Sequence, residues 1–129
     1  MNKVFTFSYN NEQYDPAMPF VEIAIATPGD SVVSLPAIVD SGSDATMIPK
    51  QYLQAIDAVF VRKGWVSGIS GVRQQINLHL VDVQIGPHWV PAIRVIETAN
   101  QREAILGRDV LNQLIVTLNG LAQVTEIAE

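Results

Sequence analysis

The chain has 129 residues, which suits a single domain spanning 1–129, and it carries a net charge of −5 with no cysteine. The acidic balance and the absence of a basic run argue against nucleic acid or an anionic membrane as a partner. Without cysteine there are no disulfides or thiolate metal sites, and His79 and His88 are too isolated for a zinc site, so we expect no metal and no cofactor.

The first residues of the chain, "MNKVFTFSYNNEQYD", lack the apolar segment of a signal peptide. No apolar run reaches the ~20 residues that a membrane-spanning helix needs. We therefore expect a soluble cytoplasmic protein that does not associate with membranes.

The pattern along the chain predicts short strands with little helix. A helix is expected over 49–56, with Pro49 at its first position. A strand, a turn and a second helix are expected within 104–114, followed by a hairpin over 115–127 whose two-residue turn is Asn119-Gly120. Further strands are predicted over 3–9, 20–26, 31–39, 58–66, 72–86 (as one strand or two) and 88–97. The fold class is thus all-β with one or two short helices.

Two stretches of the sequence are similar to each other. Both "AIVDSGSDATMIPKQYL" (37–53) and "AILGRDVLNQL" (104–114) begin with Ala, Ile and another aliphatic residue, turn on a glycine near an aspartate, and enter a helix. Two related halves around a pseudo-twofold axis would produce this similarity, although matches this short also arise by chance.

Asp40 follows a strand of apolar residues, which places a carboxylate where it is partly removed from water. Such a group needs hydrogen-bond donors or must hold a proton. Ser41 offers a hydroxyl, and Gly42 permits a tight turn that brings backbone N–H groups close. The arrangement suits acid/base chemistry, while the alternative is an ordinary surface turn, because Asp, Ser and Gly are common in turns.

The context of Asp40 resembles the active-site loop of aspartic proteases, most closely the single-domain retropepsins. "SGISG" (67–71) falls where that family carries its flap tip, and "VRQQINLHLVDVQIG" (72–86) resembles the strands that follow it. "AILGRDVLNQLIVTLNG" (104–120) resembles the second signature of the family. The resemblance covers about residues 20–120 and implies a closed or partly open acid-protease barrel.

The resemblance implies an aspartic endopeptidase, in which two carboxylates share one proton and activate a water molecule. Only one Asp-Ser-Gly is present, Asp-Thr-Gly is absent, and the chain is too short for two lobes. The active form would therefore be a symmetric homodimer with Asp40 facing Asp40, one lobe from each chain. The expected partners are a second copy and a peptide or protein substrate.

The resemblance also implies roles for the residues of the active-site loop. Asp40 is the catalytic acid/base, Ser41 holds the two loops of the dimer together, and Gly42 lies against the substrate backbone. We expect the hydroxyl of Ser43, the next residue of the loop, to donate to the Asp40 carboxylate. Residues implied to contact substrate are Asp44, Ala45 and the flap residues Gly68, Ile69, Ser70 and Gly71.

Structural support is implied for Arg108, which would pair with Asp44, and for Asp109, which we expect to cap a helix rather than to act in catalysis. Trp65 and Trp89 are expected in the core.

Two other functions fit parts of the sequence. One is a non-catalytic dimer of the same fold that binds peptides or serves as an assembly module, although the complete Asp40 loop argues against it. The other is a β-barrel ligand binder in which Asp-Ser-Gly is only a turn, which the "AILGRD" segment disfavours.

The chain also continues beyond the end typical of viral enzymes, with "GLAQVTEIAE" (120–129), so its terminal sheet is expected to differ from theirs.

Overall fold

The strands and helices are those of a computed structural model, which describes residues 4–29, 31–68 and 70–129. Within these ranges most of the chain is β-structure, and both helices are short. The strands are β1 (Phe5–Ser8), β2 (Phe20–Ala26), β3 (Val32–Val39), β4 (Met47–Pro49), β5 (Val59–Ser67), β6 (Arg73–Ile85), β7 (His88–Thr98), β8 (Ala104–Leu106), β9 (Ile115–Asn119) and β10 (Val124–Ala128), and the helices are α1 (Lys50–Ala55) and α2 (Arg108–Leu111).

A closed barrel forms the centre of the molecule. The strands of the larger sheet follow the order β2-β3-β8-β4-β7-β6-β5, and an additional pairing of β2 with β6 closes all of them except β5 into a ring. Strand β5 extends from β6 as an edge. A smaller sheet, β1-β10-β9, packs one face on the barrel, where Ile127 is fully buried and Phe7 and Val116 contact the core. The predicted all-β barrel with short helices is confirmed.

The core is filled by aliphatic side chains that alternate along the strands. Strand β2 buries Ile23 and Ile25, and β3 buries Leu35. Strand β6 buries Val81 and Val83. Successive side chains of a strand point to opposite faces. This alternation therefore determines which face of each strand packs in the core.

The two similar stretches of the sequence lie side by side at the centre of the sheet. Strands β3 and β8 are parallel, with Ala37 opposite Ala104 and Val39 opposite Leu106. Because parallel strands end at the same edge of a sheet, the turn after Val39 and the turn after Leu106 meet. This pairing brings the Asp40 loop against the start of α2.

Local differences from the sequence predictions have physical causes. Pro49 has an extended conformation (φ −61°, ψ 143°), so it caps α1 instead of forming its first helical residue. The short strand β4 was not predicted, because three residues are too few to show periodicity. The segment 72–86 forms one strand, β6, whose pairing with β7 is irregular between Val81 and Val83.

The predicted hairpin over 115–127 forms, but its two-residue turn is wrong. The pairing of Asn119 with Val124 leaves a four-residue loop. The Oδ1 atom of Asn119 accepts a hydrogen bond from the N–H of Ala122 (3.0 Å), and the left-handed conformation falls on Gln123 (φ 55°).

The two tryptophans lie at the surface, with Trp65 57% and Trp89 53% exposed, so their expected place in the core is also wrong. In the part of the chain that the structure describes, no helix is long and apolar enough to cross a membrane.

Candidate active site

Asp40 is held at the end of β3 by backbone hydrogen bonds. Its N–H donates to the carbonyl of Leu106 on the neighbouring strand (3.1 Å), and its own carbonyl accepts from the N–H of Ser43 (3.1 Å). The N–H of Gly42 donates to Oδ1 of the carboxylate (2.9 Å). Asp40 is half-buried, and this hydrogen bond from the backbone holds its carboxylate in a defined orientation.

Arg108 connects α2 to this loop through both its backbone and its side chain. Its N–H donates to the carbonyl of Ser43 (2.9 Å), and its Nη1 donates to the carbonyl of Ser41 (2.6 Å). Its Nη2 contacts the Asp44 carboxylate, which is the pairing expected from the sequence. The side chain of Asp44 is 91% exposed, so this ion pair is a surface pair.

Gly107 allows the close approach of the two segments. A Cβ atom at this position would lie 2.6 Å from the carbonyl carbon and oxygen of Ala45 and 3.0 Å from the carbonyl oxygen of Ser43. These are backbone atoms and cannot swing aside as a flexible side chain would. The glycine of the "AILGRD" segment is therefore required by space, since its φ of −94° is open to any residue.

Thr46 and Asp109 form a buried polar contact beneath the loop. The Thr46 hydroxyl donates to Oδ1 of Asp109 (2.7 Å), and the Thr46 N–H donates to Oδ2 (3.0 Å). The same hydroxyl accepts from the N–H of Gly107 (3.1 Å). Thr46 is completely buried, so these bonds satisfy groups that have no access to water.

This contact changes the expected role of Asp109. The N-cap of α2 is Gly107, and Asp109 lies in the first turn, where it also accepts from the N–H of Val110 (2.9 Å). The carboxylate therefore secures the strand that follows the Asp40 loop rather than capping the helix. Sequence reasoning did not identify Thr46 as a site residue. The signal for it in the sequence was a polar residue directly before the apolar segment "MIP".

The hydroxyl of Ser43 donates to the carbonyl of Ala45 (2.8 Å). A serine hydroxyl has one hydrogen to donate, so in this structure that hydrogen is committed to the loop backbone and the expected bond to Asp40 is not made. The residue thus stiffens the turn between Asp40 and β4.

The β5–β6 hairpin reaches towards the same end of the barrel as the Asp40 loop. At its tip the N–H of Gly71 donates to the carbonyl of Gly68 (2.9 Å), and Gly71 adopts a left-handed conformation (φ 77°). Gly68, Ser70 and Gly71 are exposed, while Ile69 lies outside the described residues. This hairpin is the segment that the sequence predicts to be a flap.

A pocket of about 290 Å³ lies between the Asp40 loop and the base of this hairpin. It brings Gly42 and the expected substrate residues Asp44 and Ala45 opposite the end of β5. The lining residues are Gly42, Ser43, Asp44, Ala45, Met47, Val66, Ser67 and Ile96. The predicted flap residues Gly68, Ser70 and Gly71 are not among the described residues that line this pocket.

Among the described residues, no three His, Cys, Asp or Glu side chains converge in an arrangement that would hold a metal ion. The described site offers the oriented carboxylate of Asp40, whose loop lines a small pocket through Gly42 and Ser43.

The barrel and the oriented Asp40 loop define a protein of the retropepsin-like aspartic protease class. A family model described as "gag-polyprotein putative aspartyl protease" matches residues 31–113, which is more than half of the chain. The chain belongs to this family. None of the curated protein sequences compared with it matches.

Solved structures of the same fold align with 79% to 99% of the chain. A retropepsin-like aspartic protease from Rickettsia conorii is 11% identical, with a TM-score of 0.66, and the alignment covers 99% of this chain and 94% of that one. The EIAV protease in complex with the inhibitor HBY-793 is 20% identical, with a TM-score of 0.57, covering 83% and 93%. The retroviral protease-like domain of Ddi1 from Leishmania major is 21% identical, with a TM-score of 0.52, covering 79% and 81%. At these identities the likeness is one of fold.

Proposed function

We propose that this protein is an aspartic endopeptidase that acts as a symmetric homodimer, with the Asp40 carboxylates of two copies facing each other. The observation that carries the proposal is Asp40 itself, an oriented carboxylate whose loop lines a pocket, in a protein of the aspartic protease family. Each chain would contribute one lobe, because it contains a single Asp-Ser-Gly.

The chemistry follows from two adjacent carboxylates that share one proton. The ionised Asp40 takes a proton from a water molecule as its oxygen attacks the carbonyl carbon of the peptide bond. The protonated Asp40 of the other copy donates its proton to the carbonyl oxygen. Collapse of the resulting diol breaks the C–N bond, and the amine leaves with a proton returned by the carboxyl pair.

The replacement Asp40→Asn tests the catalytic role. An Asn side chain keeps the oxygen that accepts from the N–H of Gly42, so the loop should keep its conformation while the ionisable group is lost. We expect peptide cleavage to disappear and the melting temperature to be unchanged or higher. Asp57→Asn is a matched control, because Asp57 is exposed and Asn tolerates its positive φ of 49°.

The outcomes separate the proposed function from a binding module. Cleavage that survives in Asp40→Asn would refute the catalytic role of Asp40. A wild-type protein that binds peptides of a diverse library, but cleaves none of them, would favour the non-catalytic dimer.

Dilution tests the homodimer. Specific activity should rise with the dimer fraction measured by sedimentation, because a single chain supplies only one of the two carboxylates. Full activity in a sample that sedimentation shows to be monomeric would refute the homodimer and leave the protease proposal to be judged by Asp40→Asn alone.

A further inference from the structure

The β5–β6 hairpin differs in charge from the rest of the chain. The segment 59–81 contains Arg62, Lys63 and Arg73 and no aspartate or glutamate, whereas the whole chain has a net charge of −5. The paired part of the hairpin, 59–80, therefore carries three of the eight lysines and arginines, and all thirteen acidic residues lie outside it, with Asp82 further along β6. A positive element on an acidic protein is a local feature that a negatively charged partner would recognise.

The two faces of this hairpin are chemically distinct. Val66 lines the pocket beside the Asp40 loop. Because side chains alternate along a strand, Lys63 and Trp65 project from the opposite face. The guanidinium carbon of Arg73 lies 4.9 Å from the centre of the exposed Trp65 ring, and Lys63 precedes Trp65 by two residues on the same face of β5. We call Lys63, Trp65 and Arg73 the outer flap face.

The outer flap face borders an open strand edge. In the described residues β5 pairs only with β6, along its length from Val59 to Ser67. Backbone N–H and C=O groups on its other side are therefore available to an added strand, although the carbonyl of Lys63 accepts from Nη1 of Arg62 (3.3 Å). An extended peptide can pair with such an edge through its backbone, while its side chains contact those of the edge strand.

We propose that the outer flap face and the β5 edge form a docking site for an extended acidic segment of the substrate, outside the bond that is cleaved. Carboxylates of the segment pair with Lys63 and Arg73, an apolar residue between them packs on Trp65, and its backbone adds to β5. Only the identity of the occupant as substrate rests on the proposed protease function.

Charge complementarity favours an acidic peptide over other occupants. A lysine on an exposed edge strand normally discourages pairing with another strand, because its charge would be desolvated. Carboxylates that pair with the lysine remove this cost, so the edge rejects neutral and basic segments and accepts acidic ones. Tryptophan and arginine are also the residues that contribute most often to protein interfaces. A nucleic acid is disfavoured, since the acidic remainder of the protein repels a polyanion.

Binding is measured on the uncleaving Asp40→Asn protein, which separates docking from catalysis. Trp89→Phe in the same protein leaves Trp65 as the only tryptophan, and its fluorescence reports occupation. The probes are an extended peptide that alternates Glu with apolar residues and the same peptide with Gln in place of Glu. We expect binding of the Glu peptide, and weakening of that binding in about 0.5 M salt.

Charge variants locate the site. Lys63→Gln and Arg73→Gln should each weaken binding of the Glu peptide about two- to five-fold, as expected for exposed charge pairs. Lys50→Gln is the matched control, because Lys50 is an exposed lysine on α1 outside the hairpin, and binding should be unchanged. Circular dichroism of each variant shows whether the fold is retained.

Four results would overturn the docking site. The first is equal affinity for the Glu and Gln peptides, and the second is equal binding by Lys63→Gln and the parent protein. The third is tighter binding of a single-stranded oligonucleotide than of the Glu peptide. A fluorescence change that depends only on protein concentration would assign the face to a second copy and would also contradict the proposal.

A kinetic experiment tests whether docking promotes cleavage. Two substrates share one cleavage site, and one of them carries the acidic segment while the other carries its Gln counterpart. The wild type should have a higher kcat/KM for the acidic substrate, through a lower KM, and Lys63→Gln should remove this advantage without changing cleavage of the Gln substrate. If neither substrate nor any library peptide is cleaved, the protease proposal fails, while the binding result on Asp40→Asn still decides the docking site.

Discussion

The Nη1 atom of Arg108 donates a hydrogen bond of 2.6 Å to the carbonyl oxygen of Ser41, the residue next to Asp40 in the chain. The same guanidinium contacts Asp44, and the two contacts together span the turn that carries the candidate catalytic carboxylate. One side chain from α2 therefore orients a loop that lies far from it in sequence.

Replacement of Arg108 by Ala should lower activity much more than stability. The side chain of Arg108 is 41% exposed and that of Asp44 91%, so the ion pair should contribute only about 1 kcal/mol or less to the free energy of unfolding. Loss of the two contacts frees the Ser41 carbonyl and lets the loop move. Urea unfolding and kcat/KM measure the two effects.

Arg108→Lys is the control for charge alone, because a lysine keeps the charge but lacks the planar group that reaches two acceptors at once. It should resemble Arg108→Ala in activity. Wild-type activity in Arg108→Ala would show that the arginine does not position the loop.

Replacement of Gly107 by Ala should disrupt the site through a steric clash. The new methyl group would lie 2.6 Å from backbone atoms of Ala45, so the strand or the helix must shift, at a cost of about 1–3 kcal/mol. Gly120→Ala is the matched control, since nothing lies within 4 Å of the added methyl group there. Equal melting temperatures of the two variants would contradict the tight approach of α2 to the loop.

Replacement of Thr46 by Val should destabilise the protein by about 1–3 kcal/mol, because it leaves the buried N–H of Gly107 without a partner and removes one of the two hydrogen bonds that Oδ1 of Asp109 accepts. Thr125→Val offers a control of equal burial. Thr125 is also completely buried, and among the described residues its hydroxyl has no hydrogen-bond partner.

The control variant should therefore be neutral or more stable than the wild type, since it removes a buried hydroxyl that makes no bond. Chemical unfolding of both variants gives the comparison. A Thr46→Val protein as stable as Thr125→Val would mean that the Thr46 contacts do not contribute to stability.

The stability of the protein should fall at alkaline pH through Tyr14. Its hydroxyl donates to Oε1 of Glu103 (2.6 Å), and this hydrogen bond raises the pKa of the Tyr14 phenol above its ordinary value of 10.0. The neutral phenol is thus favoured in the folded state. Its contribution is complete below the unfolded pKa of 10.0 and is lost as the pH rises through the higher folded pKa.

Unfolding free energies of the wild type and Tyr14→Phe, measured between about pH 8 and pH 11, test this linkage. The wild type should lose its advantage over Tyr14→Phe above about pH 10. A constant difference in unfolding free energy between the wild type and Tyr14→Phe across this pH range would contradict the role of Tyr14.

The sequence by itself determined the features that depend on neighbouring residues. The alternation of "FVEIAIA" defines β2 and its buried face, because side-chain direction along a strand has a period of two. The Asp40 loop was equally readable, since the hydrogen bond from Gly42 to the Asp40 carboxylate spans only two residues. The order of residues in the Asp40 loop is therefore enough to specify the conformation of the loop.

Tertiary structure alone decided the contacts that join distant parts of the chain. Thr46 and Asp109 are separated by 63 positions, and they meet only because β3 and β8 are parallel neighbours in register. The need for glycine at position 107 likewise comes from the backbone of Ala45, which no local pattern reveals. The surface position of Trp65 follows from the edge location of β5, since a strand with a neighbour on one side and no layer above it leaves even a large aromatic side chain exposed to water.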